Sequence, residues 1–254
     1  MIDIQKIAEK IRTADAVLAG ASNGFSISEG LHIFADNEDF RRLFGDFRQT
    51  YGIGNILQGL FFRWPSEETR WAFTSRLISR YSAGYTGSPL MDSVKKILDG
   101  KPYFIVTSNG ENHFELAGLD PQRILEIEGS WKEMRCAAGC HDALYPTWDA
   151  VSSMAARETG GLVPSELVPR CPKCGAPMAI NFHPSAKQEN AYRAFLQEHR
   201  GKKLLILEFG IGARNQLIKA PLMRLAAQEP NAFYITFNKG ELYIPAAIRD
   251  KSMG

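Results

Sequence analysis

Residues 16 to 26 read Ala16-Val17-Leu18-Ala19-Gly20-Ala21-Ser22-Asn23-Gly24-Phe25-Ser26, and this stretch decides the fold. Its first half has no polar side chain, which suits a short strand buried on both faces of a parallel sheet. Its second half is a cluster of Gly, Ser and Asn, residues that allow a tight turn out of a strand. A strand running into such a loop ahead of a helix is how a nucleotide-binding α/β unit begins. The small side chains let backbone N–H groups approach a pyrophosphate, and the helix N-terminus favours its negative charge. The helix is expected beyond the loop and to contain Gly30. The loop does not spell the GxGxxG fingerprint, so the nucleotide reading needs support from the rest of the chain.

Upstream, Ile2, Ile4, Ile7, Ala8 and Ile11 recur at helical spacing with charges between them, an amphipathic helix and not a signal peptide. Downstream, residues 92–98 read as a helix ended by Gly100, and 103–107 as a strand that delivers Ser108 and Asn109 to its C-terminal end. Residues 124–127, 203–209 and 233–237 read as further strands, and 216–227 as a helix. This alternation predicts a Rossmann-like parallel sheet covered by helices on both faces, built from residues 1–35, 90–132 and 200–254. Residues 36–89, rich in Phe and Trp at helical spacings, are expected to form a helical insertion, and 133–190 a small zinc-binding module. The two insertions are expected to flank a cleft.

The chain has 254 residues, 44% of them hydrophobic, enough for one large core with insertions. Its 30 basic and 28 acidic residues are mixed along the sequence and leave a formal charge of +2, with no basic stripe for nucleic acid. No apolar run approaches the roughly 20 residues that cross a bilayer, so no membrane partner is expected and the chain reads as soluble and cytoplasmic. In a reducing compartment its four cysteines, in two close pairs, point to metal and away from disulfides.

Those pairs are Cys136 with Cys140 and Cys171 with Cys174, the second in a turn-prone Cys-Pro-Lys-Cys-Gly knuckle. They lie between about 130 and 185, where the regular pattern lapses. Thiolates so spaced converge on one tetrahedral zinc, with bonds of about 2.3 Å. Four thiolates leave no open position, so the zinc is expected to be structural, a staple for a core-poor segment.

Two strand ends carry polar residues, Thr107-Ser108-Asn109-Gly110-Glu111-Asn112-His113 and Glu126-Ile127-Glu128-Gly129-Ser130. Ligands bind at the carboxyl ends of strands in open α/β sheets, which makes these residues candidates by position, although capping and loop solvation use the same residue types. His113, His141 and His183 stand at no regular ligand spacing and are expected to be satisfied structural histidines. The aromatic residues of the insertion are expected to pack a core.

Taken in order, these motifs resemble the sirtuin family: a glycine-rich NAD loop, a TQN-type strand end, an HG strand end, two zinc cysteine pairs and a late IN strand. Gly24-Phe25-Ser26 with Gly30 is similar to the family's loop, Thr107-Ser108-Asn109 to TQN, Ala117-Gly118 to the AG that follows, Glu128-Gly129-Ser130 to HGS and Phe237-Asn238 to IN. Residues 24–30, 168–175 and 207–212 are also similar to class M, the branch found beside macrodomain proteins. The resemblance implies NAD as cofactor and a structural Zn2+ on Cys136, Cys140, Cys171 and Cys174. NAD contacts are implied at Ser22, Asn23, Gly24, Ser26, Ser108 and Glu111. Gly210, Gly212 and Arg214 are placed on the phosphate or adenosine-ribose side, and Asn238 on the adenosine ribose. Class M implies ADP-ribosylation of a protein acceptor, in that branch a lipoyl-carrier protein.

Cleaving the nicotinamide–ribose bond develops positive charge at the anomeric carbon, so the catalytic candidates are Asn109 and Glu128, a polar and a negative group near that carbon. Glu128 stands where deacylating sirtuins carry a general-base histidine. A glutamate can accept a proton, steady the cation or deprotonate an incoming acceptor. The exchange favours ADP-ribosyl transfer, or NAD hydrolysis without an acceptor, over deacylation. Two alternatives stay open: a sirtuin deacylase, and an NAD or ADP-ribose binding module with a degenerate site. The second follows from the missing histidine and from Leu31-His32-Ile33-Phe34, which replaces the family's IPDFR-like run.

Overall fold

In a computed structural model that describes residues 3–240 and 242–254, the apolar run after Asp15 forms β1 (Ala16–Ala21), buried along its whole length. β1 pairs in parallel on both sides, Val17 opposite Tyr103 of β2 (Tyr103–Thr107) and Ala16 opposite Leu204 of β7 (Leu204–Phe209). With β3 (Ile124–Glu126), β8 (Phe233–Phe237) and β9 (Ser252–Met253) it makes a six-stranded sheet in the order β3-β2-β1-β7-β8-β9. From β1 the order runs one way through β2 and β3 and the other through β7, β8 and β9, so the sheet reverses between β1 and β7. A crevice opens at such a switch point, at the carboxyl ends of the strands.

Helices cover both faces. α1 (Ile4–Thr13) starts where the Asp3 carboxylate accepts from the Lys6 N–H at 2.9 Å; Ile2 of its expected repeat lies outside the described residues. α6 (Pro89–Leu98) begins three residues earlier than its apolar period suggested, because Ser88 caps the Met91 N–H at 2.9 Å and Pro89 suits the first helical position. α10 (Gln216–Gln228) follows β7. α9 (Ala186–Glu198) was not read from the sequence; only Phe195 of it is buried, which leaves a weak apolar stripe.

One expectation next to the site is corrected. The loop after β1 is a single residue, Ser22, and the helix α2 (Asn23–Ser28) already includes Gly24. Gly30 lies beyond the helix at φ +95°, where a side chain would be strained.

The stretch 130–185 is also more regular than its sequence suggested. β4 (Ser130–Cys136) pairs antiparallel with β5 (Tyr145–Pro146) and β6 (Met178–Asn181), and α8 (Trp148–Arg157) follows β5. The aromatic segment supplies α3 (Glu38–Tyr51), α4 (Ile56–Leu60) and α5 (Glu67–Ile78). The two segments share one hydrophobic core, in which Phe40, Phe44, Phe47, Trp71 and Phe73 join Cys136, Val151, Cys171 and Met178. At about 1.5–3 kcal/mol for each fully buried large apolar side chain, these rings dominate its stability. Arg76 binds both Asp46, at 2.7 Å, and Glu158, at 2.7 Å, and so ties α5 to α3 and to the end of α8. Phe61 departs from the expected core role: it is 69% exposed, and its ring leans on that of Phe182 at 5.5 Å.

Candidate active site and thiolate cluster

The crevice between the ends of β1 and β7 is a cavity of about 980 Å³. Seven sequence candidates line it: Ser22, Asn23, Gly24, Gly210, Gly212, Arg214 and Asn238. The backbones on its two sides touch, with the Gly24 N–H donating to the Gly210 carbonyl at 2.9 Å. A Cβ on Gly24 would lie 2.5 Å from the Gly210 oxygen, and one on Gly210 would lie 2.3 Å from the Phe25 nitrogen. Both glycines are therefore required by the approach of one loop to the other, whatever fills the cavity.

The other candidates, Ser26, Ser108, Asn109, Glu111 and Glu128, line a second cavity of about 430 Å³. Asn23, Phe34 and Asn215 border both, so the two spaces form one continuous cleft. Leu57, Leu60, Phe61 and Phe182 give the second cavity an apolar wall.

β2 delivers Ser108 and Asn109 to the junction. The Ser108 hydroxyl lies 3.0 Å from that of Ser22, and the Asn215 amide donates to Ser22 Oγ at 2.8 Å and Ser108 Oγ at 3.3 Å. Ser22, although it precedes α2, makes no side-chain cap; its hydroxyl belongs to this knot. Asn109 is 5% exposed. Its backbone N–H donates to Thr107 Oγ1 at 3.0 Å and its side-chain N–H to the Ser22 carbonyl at 3.1 Å. Its Oδ1 is buried with no partner. An amide clamped through its N–H with the oxygen left free leaves a buried acceptor, which costs about 1–3 kcal/mol unless a ligand answers it.

Glu111 is 3% exposed and accepts from Ser26 Oγ at 2.5 Å. Burial pushes its carboxyl upward against the lowering field of His113 and the Ser26 bond. Glu128 stands at the mouth with no ion-pair partner among the described residues, and partial burial alone raises its pKa. Gly129 (φ +80°) turns the chain there, and a Cβ on it would lie 2.1 Å from the Asn181 carbonyl. Behind the cleft, burial raises Glu126 to about 7 against the pull of Lys132, Gln188 and Asn112.

The Sγ atoms of Cys136, Cys140, Cys171 and Cys174 all lie within 4.8 Å of one another, with Cys136 to Cys174 at 3.5 Å and Cys140 to Cys171 at 3.6 Å. Sulfurs on a tetrahedron with bonds of about 2.3 Å stand roughly 3.8 Å apart, so the set fits zinc. The Ala143 N–H donates to His141 Nδ1 at 3.1 Å, which leaves the proton of a neutral ring on Nε2, 3.3 Å from Cys171 Sγ. That is the hydrogen bond a thiolate would accept, and it gives His141 an outer-shell role the spacing did not reveal. β4 separates this cluster from the cleft by about 20 Å, at ~3.3 Å per residue. The staple and the cleft are distinct sites.

The sequence reading did not single out Asn215 or the apolar wall. Asn215 caps α10 and had a signal in its place after Gly212-Ala213-Arg214, whereas the wall converges only by tertiary packing.

No family model matches the chain. Among curated proteins, a protein ADP-ribosyltransferase of Staphylococcus aureus is 34% identical, covering 98% of this chain and 83% of that protein. A probable bifunctional ADP-ribose hydrolase/ADP-ribosyltransferase of Fusarium oxysporum f. sp. cubense is 28% identical over 80% of this chain, which spans only 36% of that protein. Among solved structures, a Sir2 homologue in complex with NAD superimposes with a TM-score of 0.61 at 17% identity, covering 98% of this chain and 87% of the other. Sir2Tm bound to a propionylated peptide gives 0.53 at 14%, covering 99% and 92%.

The fold and the site together define a Rossmann-type dinucleotide-binding protein with a thiolate-stapled small domain. The sequence relationship and the shared fold narrow the class: the chain belongs to the sirtuin family.

Proposed function

We propose that the chain is an NAD-dependent protein ADP-ribosyltransferase that cleaves the nicotinamide–ribose bond and joins ADP-ribose to a protein acceptor. The observation that carries the reading is the free, buried Oδ1 of Asn109 at the junction of the cleft, with the Glu128 carboxylate lining the same cavity. NAD is the substrate. Its pyrophosphate and adenosine would lie along Ser22–Gly24, Gly210–Arg214 and Asn238, and its nicotinamide ribose beside Asn109. As the bond breaks, its electron pair leaves with nicotinamide, and Asn109 Oδ1 and Glu128 face the cation that develops. An acceptor nucleophile closes the new bond to the anomeric carbon and loses its proton to Glu128 or to solvent. The names of both curated relatives support transfer, and the glutamate where deacylating sirtuins have histidine argues the same way. We further infer the class M branch, with a lipoyl-carrier protein as the acceptor. No helix among the described residues is long and apolar enough to cross a membrane, and the thiolate site suits a reducing cytoplasm.

The test is mass spectrometry of products from labelled NAD, with cell-lysate proteins as acceptors and an acylated peptide in parallel. Nicotinamide release with ADP-ribosylated protein is expected, and Glu128→Gln should lower it by about 100-fold with the fold intact. O-acyl-ADP-ribose as the main product would make the chain a deacylase. NAD binding with no nicotinamide release would make it a binding module.

A further inference from the structure

His113 is 4% exposed and does more than satisfy itself. Its Nε2 lies 2.6 Å from the Tyr81 carbonyl, which can only accept, so Nε2 carries a proton. Its Nδ1 lies 2.7 Å from Glu29 Oε2. Glu29 Oε1 already accepts from Tyr85 OH at 2.8 Å and from Ser88 Oγ. A carboxylate so supplied with donors faces Nδ1 as an acceptor too, so the second ring nitrogen is protonated and His113 is an imidazolium.

The pair joins three elements: the end of α2 at Glu29, the π-turn Ser79–Ala83 through Tyr81, and the segment after Asn109 that carries Glu111 and His113. The Tyr85 ring stacks on the imidazole at 3.8 Å. Directly after Glu29 comes Gly30, at φ +95°, and then Leu31, Ile33 and Phe34, which line the cleft. Glu29 is therefore anchored at the hinge from which this loop leaves α2. The titratable groups facing the ring are Glu29 from the end of α2, Glu111 from the same segment and Tyr85 from beyond α5, and the Tyr81 carbonyl adds a neutral acceptor.

We propose that His113 is a positioning residue of the reaction: as an imidazolium it clamps the hinge of the 30–36 loop through Glu29 and balances the buried Glu111, so NAD engages the cleft only while His113 is charged. The proposal rests on reading the cleft as an NAD-cleaving site. Burial opposes the charge, but the Glu29 bond, the field of Glu111 and the Tyr81 carbonyl together raise the ring above its ordinary value of about 6.5. Burial likewise opposes the Glu29 carboxylate, and its bonds to His113, Ser88 and Tyr85 prevail and lower it. A raised histidine keeps its contribution in full below the ordinary value and loses it as pH climbs through the raised one. The clamp therefore fails on the alkaline side.

The experiment is a pH series of kcat and KM for NAD, with NAD affinity measured by calorimetry over the same range. Wild type should lose affinity in an alkaline limb. His113→Gln can still donate to Tyr81 but not to Glu29; KM should rise about tenfold with kcat changed far less, and the limb should vanish. Glu29→Gln can donate to a neutral ring, and the limb should move down by about one pH unit. Unchanged KM and an unchanged profile in both variants would overturn the proposal. Should either variant fail to fold, the histidine ring NMR shifts of the wild type decide, since a His113 that titrates at or below the ordinary histidine value also overturns it. Absent nicotinamide release from wild type at every pH would sink the proposed activity instead, and calorimetry would still read the clamp.

Discussion

The thiolate cluster and the cleft are built in opposite ways. The cluster takes its four donors from two short motifs, 136–140 and 171–174, and closes by bringing Cys136 to Cys174 and Cys140 to Cys171 across them. The cleft takes its residues from the ends of β1, β2, β3, β7 and β8 and from the apolar wall of α4, with Ser22 and Asn238 216 positions apart in the chain. A site coded by local spacing is cooperative and all-or-none. A site coded by topology can lose one contact and keep its scaffold.

Removing the metal should have the largest effect. Chelation, or Cys136→Ser with Cys174→Ser, leaves the core shared by α3, α5, β4 and β6 without its staple. Zinc binding worth about 10 kcal/mol or more in small modules would be lost with it. Metal analysis should find one zinc per chain, and calorimetry should show the small-domain transition disappear on chelation. An unchanged transition would remove the contrast between the two sites. Asn109→Ala comes next: nicotinamide release should fall by at least about 100-fold while the fold is retained, since truncation removes the orphaned Oδ1 together with the hydrogen bond to the Ser22 carbonyl, two effects on stability of opposite sign. A variant equally inactive and unfolded would make Asn109 part of the scaffold.

Gly24→Ala sharpens the comparison. Its Cβ would push on the Gly210 oxygen from 2.5 Å, so the two loops must part. A cost of about 1–3 kcal/mol in stability is expected together with weaker NAD binding, read by denaturant unfolding and calorimetry. Phe61→Ala should have the smallest effect. The ring is 69% exposed, so stability should change by no more than about 0.5 kcal/mol. It belongs to the apolar wall of the cavity that Glu128 lines, where a protein acceptor would enter, so transfer to protein should fall by more than hydrolysis of NAD.

Local patterns along the chain were enough to place five of the six strands of the sheet, all but β9, and the four cysteines of the staple. Val17 and Leu18 could only be a doubly buried strand, the short apolar runs placed β2, β7 and β8 and the helical pattern placed α10 within a residue or two, and the cysteine spacing named its ligands. These features rest on interactions between near neighbours, which leave a periodic trace. Only the tertiary structure decided that Gly24 and Gly210 serve each other, that Asn215 knots Ser22 to Ser108, and that His113 meets Glu29 across 84 positions. Such contacts cost the entropy of closing long loops and are fixed by the fold of the whole, so no local pattern records them. A histidine read as a bystander thus becomes the cation at the hinge of the cleft.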